Sequence, residues 1–207
     1  MSAEQRPKEF QFDLSGGHLA LDFANTLSRR DSPDKTVEHL NSYHDLISFA
    51  RQTKIIAPEE AEGLQRKAES QPKQAVQVLR AATSLREPLF RTFIALAHGK
   101  PGPANDLEFL DTTASEALMH RHIVRVNDSY EWQWEDGLKL ESVLWPIAMS
   151  AADLLVSANL AKVRECEARD CYWLFLDNSR NHSRRWCTMN ACGNREKARR
   201  HYQRHRA

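Results

Sequence analysis

The feature that most constrains this chain is the placement of its cysteines. Cys166 and Cys171 are separated by four residues, Cys187 and Cys192 again by four, and fifteen residues lie between the pairs. No cysteine occurs earlier in the chain. Two short-spaced pairs joined by a span of this length form the pattern of a closed four-cysteine zinc site, in which each pair grips the ion from one loop. Four protein thiolates leave no coordination position for a catalytic water, so one structural Zn2+ per chain is expected. A segment as short as 162–207 cannot bury enough apolar surface to fold alone. Zinc supplies on the order of 10–16 kcal/mol in small peptides of this kind. Tyr172-Trp173-Leu174-Phe175-Leu176 reads as the first strand of a hairpin joining the two pairs, with Asp177-Asn178-Ser179-Arg180-Asn181 as its turn. His182 is a competing ligand, although the cysteines already complete a tetrahedron.

The same stretch is strongly basic. From Lys162 onward there are 12 Lys/Arg and 5 Asp/Glu, against 17 and 23 in the residues before it, so the net +1 divides into +7 and −6. A basic chain end calls for an acidic partner, most commonly nucleic acid. After Cys192-Gly193-Asn194, the run 195–206 reads as a helix with Asn194 as its N-cap. On a helical wheel Ala198, His201, Tyr202 and His205 share a sector expected to pack against the module. Arg195, Arg199 and Arg206 line one flank, and Lys197, Arg200 and Arg204 the other. Arg184 and Arg185 add to the charge from the hairpin. The candidate nucleic-acid contacts are therefore Arg184, Arg185, Arg195, Lys197, Arg199, Arg200 and Arg204. Such residues suit phosphate contact, and arginine also reads guanine edges. Two bland alternatives stand beside this one: a solvated charged face, and arginines that offset the zinc–thiolate charge, with Arg195 the foremost example. RNA stays open beside DNA, since Tyr172, Trp173 and Phe175 could stack on unpaired bases.

Residues 1–161 read as a mostly helical domain carrying one β-hairpin, with 162–207 as a separate small zinc module of β-hairpin and basic α-helix. Residues 1–13 are a loose entry or a short strand through Phe10-Gln11-Phe12. Leu19, Phe23 and Leu27 mark a first helix, Asp31-Ser32-Pro33-Asp34 a turn, and Val37, Leu40, Tyr43, Leu46, Ile47 and Ala50 a second helical stripe. Pro58-Glu59-Glu60 opens another helix. A longer one runs over 73–98, where Pro88 is expected to bend or split it. Further helices are expected over 104–119 and 140–160, with a hairpin over 121–135. No apolar run is long enough to span a membrane and the first residues lack a signal peptide, so a cytoplasmic protein without a membrane partner is expected. His18, Asp22 and Asn25 share one face of the first helix. They could line a pocket for a small-molecule ligand, or be buried hydrogen-bonding groups that fix helix packing. A catalytic reading rests on these three alone and lacks a partnered nucleophile or a Gly-rich phosphate loop, so no enzyme is expected.

Cys192-Gly193-Asn194-Arg195, in its cysteine context, resembles the CGNR zinc finger family. Gly16-Gly17-His18-Leu19-Ala20-Leu21-Asp22-Phe23-Ala24-Asn25-Thr26 resembles the opening motif of the ABATE domain that accompanies that finger, and Leu85-Arg86-Glu87-Pro88-Leu89 resembles its central helix. Together these cover nearly the whole chain. The resemblance implies a bacterial stress-induced transcription regulator with Cys166, Cys171, Cys187 and Cys192 as zinc ligands and a DNA-binding finger. Its N-terminal domain would sense a ligand or make a homodimer. The competing reading is a zinc–thiolate protein-interaction or redox-responsive module, since thiolates can be oxidised with loss of metal.

Overall fold

The computed structural model describes residues 10–30, 33–135 and 138–205. Residues 1–9, Asp31, Ser32 and Arg206, which carry parts of the expected entry segment, first turn and basic flank, lie outside the described residues.

Helix α1 (Leu19–Ala24) is the centre of the molecule. Ala20, Leu21, Phe23 and Ala24 are all fully buried, and Asp22 between them is nearly so, so this short helix is enclosed on almost every side. It contacts α4 (Pro72–Ala97) and α6 (Leu144–Leu155). The chain then forms β1 (Leu27–Ser28), which pairs antiparallel with β2 (Val37–Glu38). This pairing corrects the expected second stripe. The helix α2 (Tyr43–Gln52) starts only after Ser42, which caps it. Ser42 Oγ accepts from Asp45 N (3.2 Å), and the Asp45 carboxylate accepts from Ser42 N (2.8 Å). That capping box fixes the start more firmly than the apolar spacing upstream. Leu27 likewise leaves the first helix for β1.

Helix α3 (Pro58–Ser70) opens with its proline and two acids in the first turn. Helix α4 runs unbroken through Pro88. A proline inside a helix costs about 3 kcal/mol. Burial of Leu85, Leu89 and Phe93 around it offsets that cost, so the expected split does not occur. From the same helix Arg86, only 3% exposed, donates to both carboxylate oxygens of Glu38 (2.7 and 2.6 Å), to Thr26 Oγ1 (3.1 Å) and to Glu87 (3.0 Å). Arg30 also pairs with Glu87, at 2.5 Å. These compensated buried charges tie the β1–β2 excursion onto α4.

Helix α5 (Ala104–Leu118) leads into the hairpin of β3 (Arg121–Val126) and β4 (Ser129–Trp134), whose two-residue loop places Asn127 at φ +53°. The expected helix over 140–160 is interrupted. A 3-10 turn over Leu140–Val143 precedes α6, and another over Ala158–Lys162 follows it. The break falls at Val156, which is 88% exposed, and Ser157 Oγ caps the next turn by accepting from Asn159 N.

The C-terminal hairpin joins β5 (Val163–Glu165) to β6 (Leu174–Leu176), with Val163 opposite Leu176 and Glu165 opposite Leu174. The strand expected to open a hairpin between the cysteine pairs is instead the second strand of one that encloses the first pair. Alternation explains the choice. Val163, Leu174 and Leu176 enter the main helical core, while Phe175 on the other face packs with the cysteines. The hairpin thus belongs to both cores. The basic helix α7 (Asn194–Arg204) closes the chain. Among the described residues no helix is long and apolar enough to cross a membrane.

Candidate metal centre

Cys166 follows β5 directly, and its N–H donates to the Trp173 carbonyl (2.8 Å), while Cys171 N donates to the Ala168 carbonyl (3.1 Å). These bonds curl the first pair into one knuckle. Asp177, fully buried, organises the approach to the second pair. Its carboxylate accepts from Ser179 N (3.0 Å), Ser179 Oγ (2.6 Å) and Arg184 N (3.0 Å). These bonds outweigh burial and hold its pKa below the ordinary value.

Cys192 sits in a wide π-helical turn over Met189–Gly193, capped by Thr188 Oγ1, which accepts from Ala191 N (3.0 Å). That turn runs straight into α7. Asn194 is therefore the first residue of the helix and not its N-cap, and the cap falls to Thr188. A Cβ on Gly193 would lie 2.5 Å from Sδ of the exposed Met189, so a larger residue beside the last cysteine requires that flexible side chain to move.

All four sulfurs are buried, form no disulfide and lie within 4.8 Å of one another. Cys171 and Cys187 are 3.6 Å apart, Cys187 and Cys192 3.5 Å. Zinc bound at about 2.3 Å to each sulfur sets tetrahedral neighbours about 3.8 Å apart, so the cage fits one structural zinc ion. The chemistry of the donors agrees. Hydrogen bonds from Cys171 and Cys187 hold the Cys166 thiol far below its ordinary range, and the same contacts push Cys171 and Cys187 up. Burial pushes Cys192 up. Four thiolates can share this space only around a cation. Cys187 N donates to Cys166 Sγ and Arg195 Nη2 to Cys192 Sγ, both at 3.3 Å, which further offsets their charge. His182 is exposed, bonds the Asp177 carbonyl through Nδ1 (3.0 Å) and stands outside the cage.

The arginines of the finger divide by their partners. Asp170, from the first knuckle, pairs with Arg195 (2.9 Å) and Arg199 (3.1 Å), and Arg199 also meets Glu196 (2.7 Å). Arg184 donates to the backbone carbonyls of Trp186 (2.9 Å), Cys187 and Ser15 (3.3 Å). Arg185 pairs with Glu167 (2.6 Å). Among the described residues Lys197, Arg200 and Arg204 form no ion pair, and all three are exposed. The sector of Ala198, His201, Tyr202 and His205, expected to pack inward, faces solvent, with Tyr202 70% exposed. The buried helix residue is Glu196, because Asp170 draws Arg195 and Arg199 to the module and so fixes the rotation of α7. Sequence reasoning passed over Asp170. Its only signal was an acid between the first two cysteines of a basic tail.

His18, Asp22 and Asn25 serve the seam between the helices and the finger. Asn25 Oδ1 accepts from Leu174 N and its Nδ2 donates to the Leu174 carbonyl, each at 2.9 Å, so the amide pairs with β6 as a strand residue would. Leu176 N donates to the Gly16 carbonyl (2.9 Å) and Trp173 Nε1 to Ser28 Oγ (3.2 Å). Asp22 accepts from Gly16 N (2.8 Å), and burial raises its pKa to about 7. Burial also lowers the pKa of His18, which lies 3.4 Å from Ser150 Oγ on α6. The polar atoms of Asp22 and Asn25 are thus spent on packing. Phe175 is fully buried, which removes it as a stacking platform, while Tyr172 and Trp173 are half-buried.

No curated protein matches the chain. One family profile, described as "putative stress-induced transcription regulator" and named ABATE, matches residues 17–158. A second, the CGNR zinc finger, matches residues 162–205. The first match takes in the packing motif of α1 and the second every sulfur of the cage, and on these matches the chain belongs to the ABATE family and carries a CGNR zinc finger.

Proposed function

We propose that this protein is a DNA-binding transcription regulator whose finger contacts the phosphate backbone through Lys197, Arg200 and Arg204. The observation that carries the reading is the division of the basic residues. Four arginines are spent inside the finger, while these three lie at i, i+3 and i+7 on the exposed side of α7 without a counter-charge. Three unpaired cations along one helix face are suited to a row of phosphates. Arg200 also stands 5.9 Å from the Trp186 ring, which limits its freedom before binding. The N-terminal domain is the sensing or dimerising part of this reading.

The test is selection of the zinc-loaded protein on random duplex DNA at several salt concentrations. Replacing Lys197, Arg200 and Arg204 with Gln should lower the slope of log affinity on log salt by about 2.7. An unchanged slope would move the contact elsewhere. No enrichment with zinc bound would favour a protein-interaction finger.

A further inference from the structure

Helices α4, α5 and α6 leave a groove of about 520 Å3 between them. Small-molecule sites fall in the range of roughly 300–1,000 Å3, and clefts between bundled helices are a usual place for them. Its walls are mostly apolar and include Leu85, Phe109, Leu144 and Trp145. The charge on the lining has one sign. Glu116 and Glu141 contribute carboxylates, and no lysine or arginine lines the groove. Among the described residues the Glu116 carboxylate has no hydrogen-bond or ion-pair partner, and the Glu141 carboxylate accepts only from Gln74 Nε2 at 3.5 Å. His120 also lines the groove, but its ring is stacked on Trp145 at 4.1 Å and its Nδ1 pairs with Glu135 at 3.1 Å.

These features select a ligand by chemistry. A carboxylate or phosphate would meet two like charges. A neutral apolar body would bury its surface but gain nothing from the acids. A cation gains from both carboxylates and from the aromatic walls. We infer that this groove binds an amphipathic organic cation, a quaternary ammonium, phosphonium or protonated amine on an aromatic or alkyl body. Glu116 and Glu141 hold the charge, and Leu85, Leu144 and Trp145 receive the body. Binding stands on the groove alone, and only its bearing on gene control rests on the DNA reading above.

Tetraphenylphosphonium and tetraphenylborate share size and shape and differ in the sign of their charge. Calorimetric titration of each into the zinc-loaded full chain is the test. The phosphonium should bind saturably and at least tenfold tighter than the borate. Glu116→Gln with Glu141→Gln should weaken the phosphonium roughly fivefold per charge and shrink the discrimination. Ser84→Trp, which adds an indole at an exposed edge of the groove, should weaken it at least tenfold. Equal or tighter binding of the borate overturns the assignment, as does phosphonium binding that ignores all of these substitutions. An absence of saturable binding overturns it too, and a dimer that Ser84→Trp breaks would then name a second copy as the occupant. None of these titrations contains DNA, so failure here and failure of the regulator reading remain distinguishable.

Discussion

Asn25 is the joint between the two halves of the chain, and its removal should be costly for a definable reason. Its side-chain amide satisfies both backbone groups of Leu174, each through a 2.9 Å bond, in a site where Asn25 is 3% exposed and Leu174 fully buried. Asn25→Ala leaves a buried N–H and a buried carbonyl unpaired, at about 1–3 kcal/mol apiece. The expected loss is about 2–5 kcal/mol, a large share of the 5–15 kcal/mol that holds a domain together. Asn25→Asp is expected to be worse near pH 8. A carboxylate can still accept from Leu174 N, but it faces the Leu174 carbonyl with charge where the amide donated a hydrogen bond. Urea unfolding followed by far-ultraviolet dichroism gives the stability. Zinc release to a chelating dye gives the effect on the finger, which should lose its ion faster as β6 comes off its seat. If Asn25→Ala stays within about 0.5 kcal/mol of the parent, or if the two variants behave alike, the side chain is not a strand surrogate and the reasoning fails.

Three further outcomes follow from the same geometry. Chelating the zinc should dissolve the cluster of Phe175, Trp173 and Trp186 around the cysteines while α1 to α6 stay folded; tryptophan emission should shift with only a small loss of helical dichroism, and a coincident collapse of both signals would contradict this. Asp22 has its pKa raised by burial from 3.8 to about 7, so ionising it costs more in the fold than in the unfolded chain. That penalty is absent below about pH 4, grows as pH rises and is complete above about pH 7, where it reaches on the order of 4 kcal/mol; under saturating zinc, Asp22→Asn should flatten the fall in urea midpoint between pH 5 and 8, and an unchanged pH slope would refute the assignment. Gly16→Ala places a Cβ 2.7 Å from Asp22 Oδ1 and 3.2 Å from Asn25 Nδ2, whereas a Cβ on Gly17 meets nothing and suffers only its φ of +70°. The melting temperature should therefore drop more for Gly16→Ala than for Gly17→Ala, whose cost is about 1–2 kcal/mol.

The zinc cage was legible because metal chemistry is written in residue type and spacing, and few other uses of Cys166, Cys171, Cys187 and Cys192 suit that pattern. The long helices were legible from periodicity. What periodicity could not supply is competition between a local pattern and a partner distant in sequence. Val37 fits the stripe of α2, yet its backbone pairs with Ser28. The segment Tyr172 to Leu176 has the residues of a strand, but its partner Val163–Glu165 lies before the first cysteine. The rotation of α7 failed for a related reason. Apolar character pointed Tyr202 inward, whereas the ionic contacts of Asp170 with Arg195 and Arg199 set the angle. Apolar periodicity carries no mark of such contacts.

That result bears on how so basic a finger can be stable at all. The local +7 from Lys162 onward falls to about +5 once the zinc–tetrathiolate charge is counted. The remaining positive charge is not spread evenly. Arg195 lies against Cys192 Sγ and Asp170, Arg199 against Asp170 and Glu196, and Arg185 against Glu167, so the inner side of the finger is close to neutral. Arg184 spends its donors on backbone carbonyls, and one of them, Ser15, belongs to the approach to α1. Part of the surplus is left on Lys197, Arg200 and Arg204, where solvent screens it and self-repulsion is small. Neutralising those three should therefore leave zinc affinity and unfolding midpoint nearly unchanged, whereas losing Asp170 should damage both. Residues that hold the finger and residues free to meet a phosphate are thus separable on a single helix of eleven residues.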